Sequence, residues 1–165
     1  MDERVALAEY LRKLVGSRLL DALDILFDPD ELSGPGERLR ELLEVKSRSW
    51  AAILSGEDDR AAAFLAIRLV TALYPGDEPF DPPAAWWSTP LGRAVARRAG
   101  HPAAVAVPVP VAAAMLGITR QGVHDLIRRR KLDRDQDGAV STASIQARLS
   151  RSHGDQPVPA RGGSE

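Results

Sequence analysis

Residues 109–149 read VPVAAAMLGITRQGVHDLIRRRKLDRDQDGAVSTASIQARL, and the organisation of the whole chain follows from this stretch. Pro110 suits the first turn of a helix, where its missing N–H costs nothing. That helix runs to Leu116, with Ala112, Ala113 and Leu116 inward. Gly117 supplies the positive φ of a sharp turn, and Ile118 is expected to anchor that turn in the core. Thr119 has the side-chain oxygen needed to cap a second helix, whose inward positions are Val123, Leu126 and Ile127. Ala113 lies four residues before Gly117, while Val123 and Leu126 follow Ala113 by ten and thirteen. A helix-turn-helix needs this spacing: a small residue where the helices cross, a glycine in the turn, and branched apolar residues holding the second helix.

The residues that follow extend the pattern. Asp137-Gly138 is a tight-turn dipeptide between short strand candidates, Leu132-Asp133-Arg134 and Ala139-Val140. Ser141 or Thr142 then caps a last helix with Ile145 and Leu149 inward. Helix, turn, helix, hairpin and helix make a winged helix-turn-helix, with the hairpin as its wing. The run AAAMLGITRQGVHDLI resembles the excisionase and MerR-like family of bacterial DNA-binding domains, in which an alanine-rich helix precedes Leu-Gly-Ile-Thr/Ser and a Val…Leu-Ile helix. The resemblance covers residues 105–150, about a quarter of the chain. It implies a second helix in the major groove of duplex DNA and a wing beside the phosphate backbone.

With that implied placement the outer face of the second helix acquires roles. Arg120, Gln121 and His124 sit near its N-terminal end, the part that reaches base edges in this motif. Arginine matches the paired acceptors of guanine and glutamine matches adenine. Thr119, Arg128, Arg129, Arg130, Lys131 and Arg134 are the expected phosphate contacts, supplying affinity and salt dependence rather than sequence choice. A basic run at a helix end also answers the helix dipole, which is the competing explanation for Arg128 to Lys131. Asp125 and the acidic wing tip of Asp133, Asp135 and Asp137 oppose a phosphate contact.

Outward from this segment, residues 1–75 read as a helical domain. Apolar residues from Leu7 to Phe27 (Leu7, Leu11, Leu14, Val15, Leu19, Ala22, Leu23, Leu26, Phe27) fall on one helical face, with Gly16-Ser17 as a kink or a break capped by Ser17. Residues 28–36 form a loop rich in proline and glycine. A second helix is expected over residues 37–54, with Leu39, Leu42, Leu43, Trp50, Ile53 and Leu54 inward. A third, up to Tyr74, is apolar almost all round and so is central or covered by a partner. Residues 76–104 read as a connector with one short basic helix opened by Thr89-Pro90, and Trp86-Trp87 as packing at the junction. The fold class is therefore mainly α. The stretch 151–165 lacks the apolar residues needed to offset ordering entropy and is read as a disordered tail.

Composition narrows the classes of function. There is no cysteine among the 165 residues, which excludes disulfides, thiolate metal sites and thiol nucleophiles. His101, His124 and His153 are isolated, so no metal or other cofactor is expected, and no nucleophile–base pair marks an enzyme. No apolar run reaches membrane-spanning length and the N-terminus lacks a secretory pattern, so a cytoplasmic protein is expected. Arginine makes up 19 of the 22 basic residues, consistent with a GC-rich bacterial genome. Residues 1–83 carry 10 basic and 17 acidic side chains, whereas residues 84–165 carry 12 and 6. That asymmetry fits an acidic module joined to one that meets a polyanion. The expected function is sequence-selective binding of double-stranded DNA by a transcriptional regulator. A module this small needs two half-sites, hence a homodimer through residues 1–75. The alternatives are an antitoxin-like or phage-like adaptor whose N-terminal domain holds a protein partner, and a sensor with a pocket lined by Trp50, Phe64 and Tyr74.

Overall fold

The computed structural model describes residues 2–154 and is mainly helical, with one small antiparallel sheet of two strands. Helix α1 (Glu3–Val15) is capped by the Asp2 carboxylate, which accepts from the Arg4 N–H at 3.1 Å. Gly16–Leu20 forms a π-helical turn that feeds α2 (Asp21–Leu26). Ser17 does not cap a new helix; its hydroxyl donates back to the Leu14 carbonyl. The wide turn rotates the apolar stripe, so Leu7, Leu11 and Val15 are buried while Leu19, Leu26 and Phe27 stand exposed, contrary to the single inward face read from the sequence. Within the expected loop, α3 (Pro29–Leu32) forms a single turn whose start carries reciprocal bonds between Asp28 and Glu31.

Helix α4 (Pro35–Ser55) packs along α1, and α5 (Asp59–Leu73) returns against α4. The buried stripe of α4 is Leu43, Ser47, Ala51 and Leu54; Leu39, Leu42 and Ile53 are exposed instead of inward. Helical spacing of four, four and three puts the buried four on one line, and α1 lies close enough that small Ser47 and Ala51 fit where larger residues do not. Helix α5 buries Ala62, Leu65, Ala66, Leu69, Val70 and Leu73 but leaves Phe64 exposed at 69%. Trp50, Phe64 and Tyr74 do not share a pocket: Tyr74 packs on Phe80 and Trp86, away from the exposed Phe64.

Residues 76–104 contain α6 (Ala84–Trp87) and α7 (Pro90–Ala99), and these lie in the core. Trp87, Leu91, Ala94, Val95 and Ala96 are fully buried, and α7 touches α1, α5, α8 and α10. Gly92 is required there: a Cβ would come within 2.2 Å of the Trp86 carbonyl oxygen, so only glycine lets α7 cross α6 at this separation. Tyr74, Phe80, Trp86, Trp87 and His101 form a chain of edge and tilted ring contacts, and the Trp86 indole N–H donates to the Tyr74 hydroxyl at 2.8 Å. Arg98, the last arginine of this "basic helix", faces inward. It donates to the Leu54 and Gly56 carbonyls at 2.9 and 2.7 Å and to Asp59 at 2.6 Å, tying the end of α4 to the start of α5.

The remaining elements are β1 (Ala106–Val107), α8 (Val109–Leu116), α9 (Arg120–Arg128), β2 (Val140–Ser141) and α10 (Thr142–Gly154). The expected hairpin strand at residues 132–134 is reduced to a single bridge, Arg134 to Val140. The partner of β2 is β1, from the apolar stretch read as connector, with Ala106 opposite Ser141 and Val107 opposite Val140. Val107 and Val140 are both buried, so burial decides the pairing, whereas Asp133 and Arg134 are solvated. Ser141, not Thr142, caps α10, by accepting from the Ser144 N–H; the Thr142 hydroxyl bonds the Ala104 and Val105 carbonyls instead. Residues 151–154 of the expected tail complete α10, and 155–165 lie outside the described residues. One apolar cluster runs without a break from Leu7 to Ile145.

Candidate nucleic-acid interface

The corner between α8 and α9 is built from local signals. Gly117 ends α8 in the left-handed conformation, φ 67°, and the Ile118 N–H reaches back to the Ala113 carbonyl at 3.0 Å. The Thr119 hydroxyl accepts from the Gly122 N–H at 3.1 Å and starts α9. Val123 is fully buried and fixes α9 on its support, with Leu126 and Ile127 half-buried beside it. Ile118 departs from expectation. It is 38% exposed and packs over Gly122 rather than entering the core.

Every side chain singled out for this face is exposed: Thr119, Arg120, Gln121 and His124 toward the start of α9, Arg128, Arg129, Arg130 and Lys131 at its end, and Arg134 beyond. Among the described residues none covers this face of α9. Asp125, which the sequence set against DNA contact, is a local organiser: its carboxylate takes the Gln121 amide at 3.3 Å and pairs with Arg128. It therefore aligns one candidate base reader and holds one candidate phosphate contact, both through the same oxygen. At the acidic turn, the Asp135 carboxylate accepts from the N–H groups of Asp137 and Ala139 at 3.0 and 2.9 Å. Gly138 completes that turn with φ 85°. One of the three acids is thus spent on the turn itself, whereas Asp133 and Asp137 remain solvated.

The end of α9 carries the only non-glycine residue with positive φ among the described residues, Arg130 at 55°. Its N–H donates to the Ile127 carbonyl and that of Lys131 to the Leu126 carbonyl, closing the helix in a turn that ordinarily takes glycine. Next to it lies a cleft of about 480 Å³ lined by Arg130, Lys131, Asp133, Ser144, Ala147, Arg148, Arg151 and Ser152. The sequence reading missed Arg148 and Arg151. Their three-residue spacing on a helix was the available signal. Among the described residues no three His, Cys, Asp or Glu side chains stand together as a metal site, and no helix is long and apolar enough to cross a membrane. Comparison with known proteins finds no matching family model, no similar curated protein and no similar solved structure.

Proposed function

We propose that the chain binds double-stranded DNA sequence-selectively, with α8 and α9 acting as a helix-turn-helix, the turn before β2 as a reduced wing, and the protein serving as a bacterial transcriptional regulator. The observation that carries this reading is the outer face of α9, where Arg120, Gln121, His124 and Arg128 are exposed, followed by the exposed cations Arg129, Arg130 and Lys131 just past its end. The rise from Arg120 to Arg128 is about 12 Å, close to the width of the major groove, ~12 Å. With the N-terminal end at base edges, the cationic end then meets the groove wall. The test is binding of the full chain to a pool of random duplexes. Enrichment of one sequence is expected, and Arg120→Ala with Gln121→Ala erases the enrichment while weak binding persists. Equal retention of all duplexes by the wild type would refute the reading.

Regulation from a single small module calls for paired half-sites, and we infer that residues 1–75 supply the pairing surface. Of the 13 large apolar side chains exposed among the described residues, 11 lie in residues 1–75, with Ile25 and Leu26 at 85% and 75%. The occupant proposed is a second copy of the chain. A single-mass monomer by light scattering at all concentrations would refute the pairing. A heteromeric complex through the same surface would favour the adaptor reading.

A further inference from the structure

We propose that the cleft between the end of α9 and the face of α10 is a second seat for the DNA backbone, gripping phosphates just outside the groove that α9 enters. The inference rests on the DNA-binding reading and extends it to residues of a different helix.

Four cations line the cleft (Arg130, Lys131, Arg148 and Arg151) against one carboxylate, Asp133, and the hydroxyls of Ser144 and Ser152 lie among them. Among the described residues none of the four is ion-paired, although pairing is common elsewhere: Arg12, Lys13, Arg40, Arg48 and Arg98 each have a carboxylate partner. Like charges gathered at one cleft repel, and the arrangement gains from a polyanion that neutralises them together. The helix dipole accounts for cations in a last turn, but Arg148 stands six residues before the end of α10 at Gly154. Arg130 supplies a second, independent sign. A left-handed position where glycine is the cheap choice holds an arginine instead, and backbone strain of this kind clusters where ligands are held. The Ser144 hydroxyl donates to the Ser141 carbonyl and accepts from the Asp133 N–H, so it fixes the cleft wall and leaves the phosphate to the cations. Clustered cations along an open trough match the chemistry of a phosphodiester strand.

The cleft follows α9 directly in the chain, as Arg130 and Lys131 are the second and third residues after its last turn. A strand whose base edges meet Arg120 and Gln121 would therefore be bordered by phosphates at this trough.

The test uses the full chain and two duplexes, the sequence enriched from the random pool and a shuffled version of it, titrated over a range of salt. Arg148→Gln with Arg151→Gln is expected to weaken both duplexes by the same factor, about tenfold, and to flatten the slope of log affinity against log salt by about 1.8, the value for two phosphates. The preference between the duplexes stays unchanged. Arg148→Lys with Arg151→Lys is expected to keep the wild-type slope, and the single change Arg151→Gln, at an exposed position, to remove about half of the difference. A double glutamine variant with the wild-type slope overturns the cleft while leaving the α9 reading intact. A wild type that binds neither duplex overturns that reading and the cleft with it. Loss of selectivity in the glutamine variant would instead make these arginines part of sequence choice and overturn their assignment to phosphate.

Discussion

Arg130→Gly separates stability from binding at one residue. Arg130 holds φ 55°, where a side chain with a Cβ costs roughly 1–2 kcal/mol relative to glycine. Glycine recovers that strain but loses more conformational freedom on folding, by about 0.4–1 kcal/mol. The net gain lies between about 0 and about 1.6 kcal/mol, and each 1 kcal/mol raises the Tm of a chain of 165 residues by about 2–4 °C. No hydrogen bond is lost in the exchange, because Arg130 contributes only its backbone N–H to the turn. Binding moves the other way: one phosphate contact fewer flattens the salt slope by about 0.9 and weakens every duplex alike. Arg130→Ala supplies the control, because it removes the charge and keeps the strained backbone. It should match the glycine variant in binding without gaining its stability. The assays are thermal unfolding by circular dichroism and salt-dependent fluorescence anisotropy on the same preparations. A lower Tm for the glycine variant would refute the strain argument, and an unchanged slope would take Arg130 out of the interface.

Three further expectations address the support beneath that face. Arg98→Ala should destabilise by about 2–3 kcal/mol, read by urea unfolding, because it strips charged donors from two carbonyls; little of this comes from Asp59, which is 89% exposed on its side chain. Arg98→Lys should recover only part, since an ammonium does not span both carbonyls in the guanidinium's fork, and full recovery would contradict this. Gly92→Ala should cost about 3 kcal/mol by driving a methyl into the Trp86 carbonyl, and a melting temperature within a degree of wild type would show that α6 and α7 separate freely. His101 is held neutral: its Nδ1 accepts from the Ala103 and Ala104 N–H groups, and burial against the Trp87 ring lowers its pKa below 6.5, with Asp81 pulling weakly upward. The unfolded chain then binds the proton first, so this stability is complete above about pH 6.5 and is lost as pH falls toward the folded value. His101→Asn keeps an acceptor and removes the titration. Its Tm should decline less than wild type between pH 7 and 5.5, and parallel curves would sink the assignment.

What could be read in the sequence was what neighbours along the chain decide. Gly117 ends α8 and Thr119 starts α9 because a left-handed turn and a cap are settled within a few residues. The long helix α4 was legible as well, but its inward face was not. Leu39, Leu42 and Ile53 outrank Ser47 and Ala51 in hydropathy, yet the close approach of α1 selects the small pair, and that approach is a tertiary fact. The same holds for α7. Three arginines made it look solvated, while its apolar and small residues occupy the centre of the molecule and Arg98 turns inward to carbonyls that no local pattern announces. Strand β1 is two residues long and is chosen by what Val140 needs beside it, not by any propensity of Ala106. On the candidate face, α9 was legible because its cations are consecutive, whereas Arg148 and Arg151 join them only through the folding of α10 against the turn.

The unbroken apolar cluster from Leu7 to Ile145, with α7 wedged at its middle, has a consequence for how a paired molecule would meet an operator. Within that cluster α1, α4 and α5 are joined to α8 and α9 through α7 and no linker, so the proposed pairing face and the proposed reading helix would move together. Two copies joined at their N-terminal helices would behave as a caliper locked at one opening. Operators whose halves are one base pair too near or too far would be refused, not accommodated.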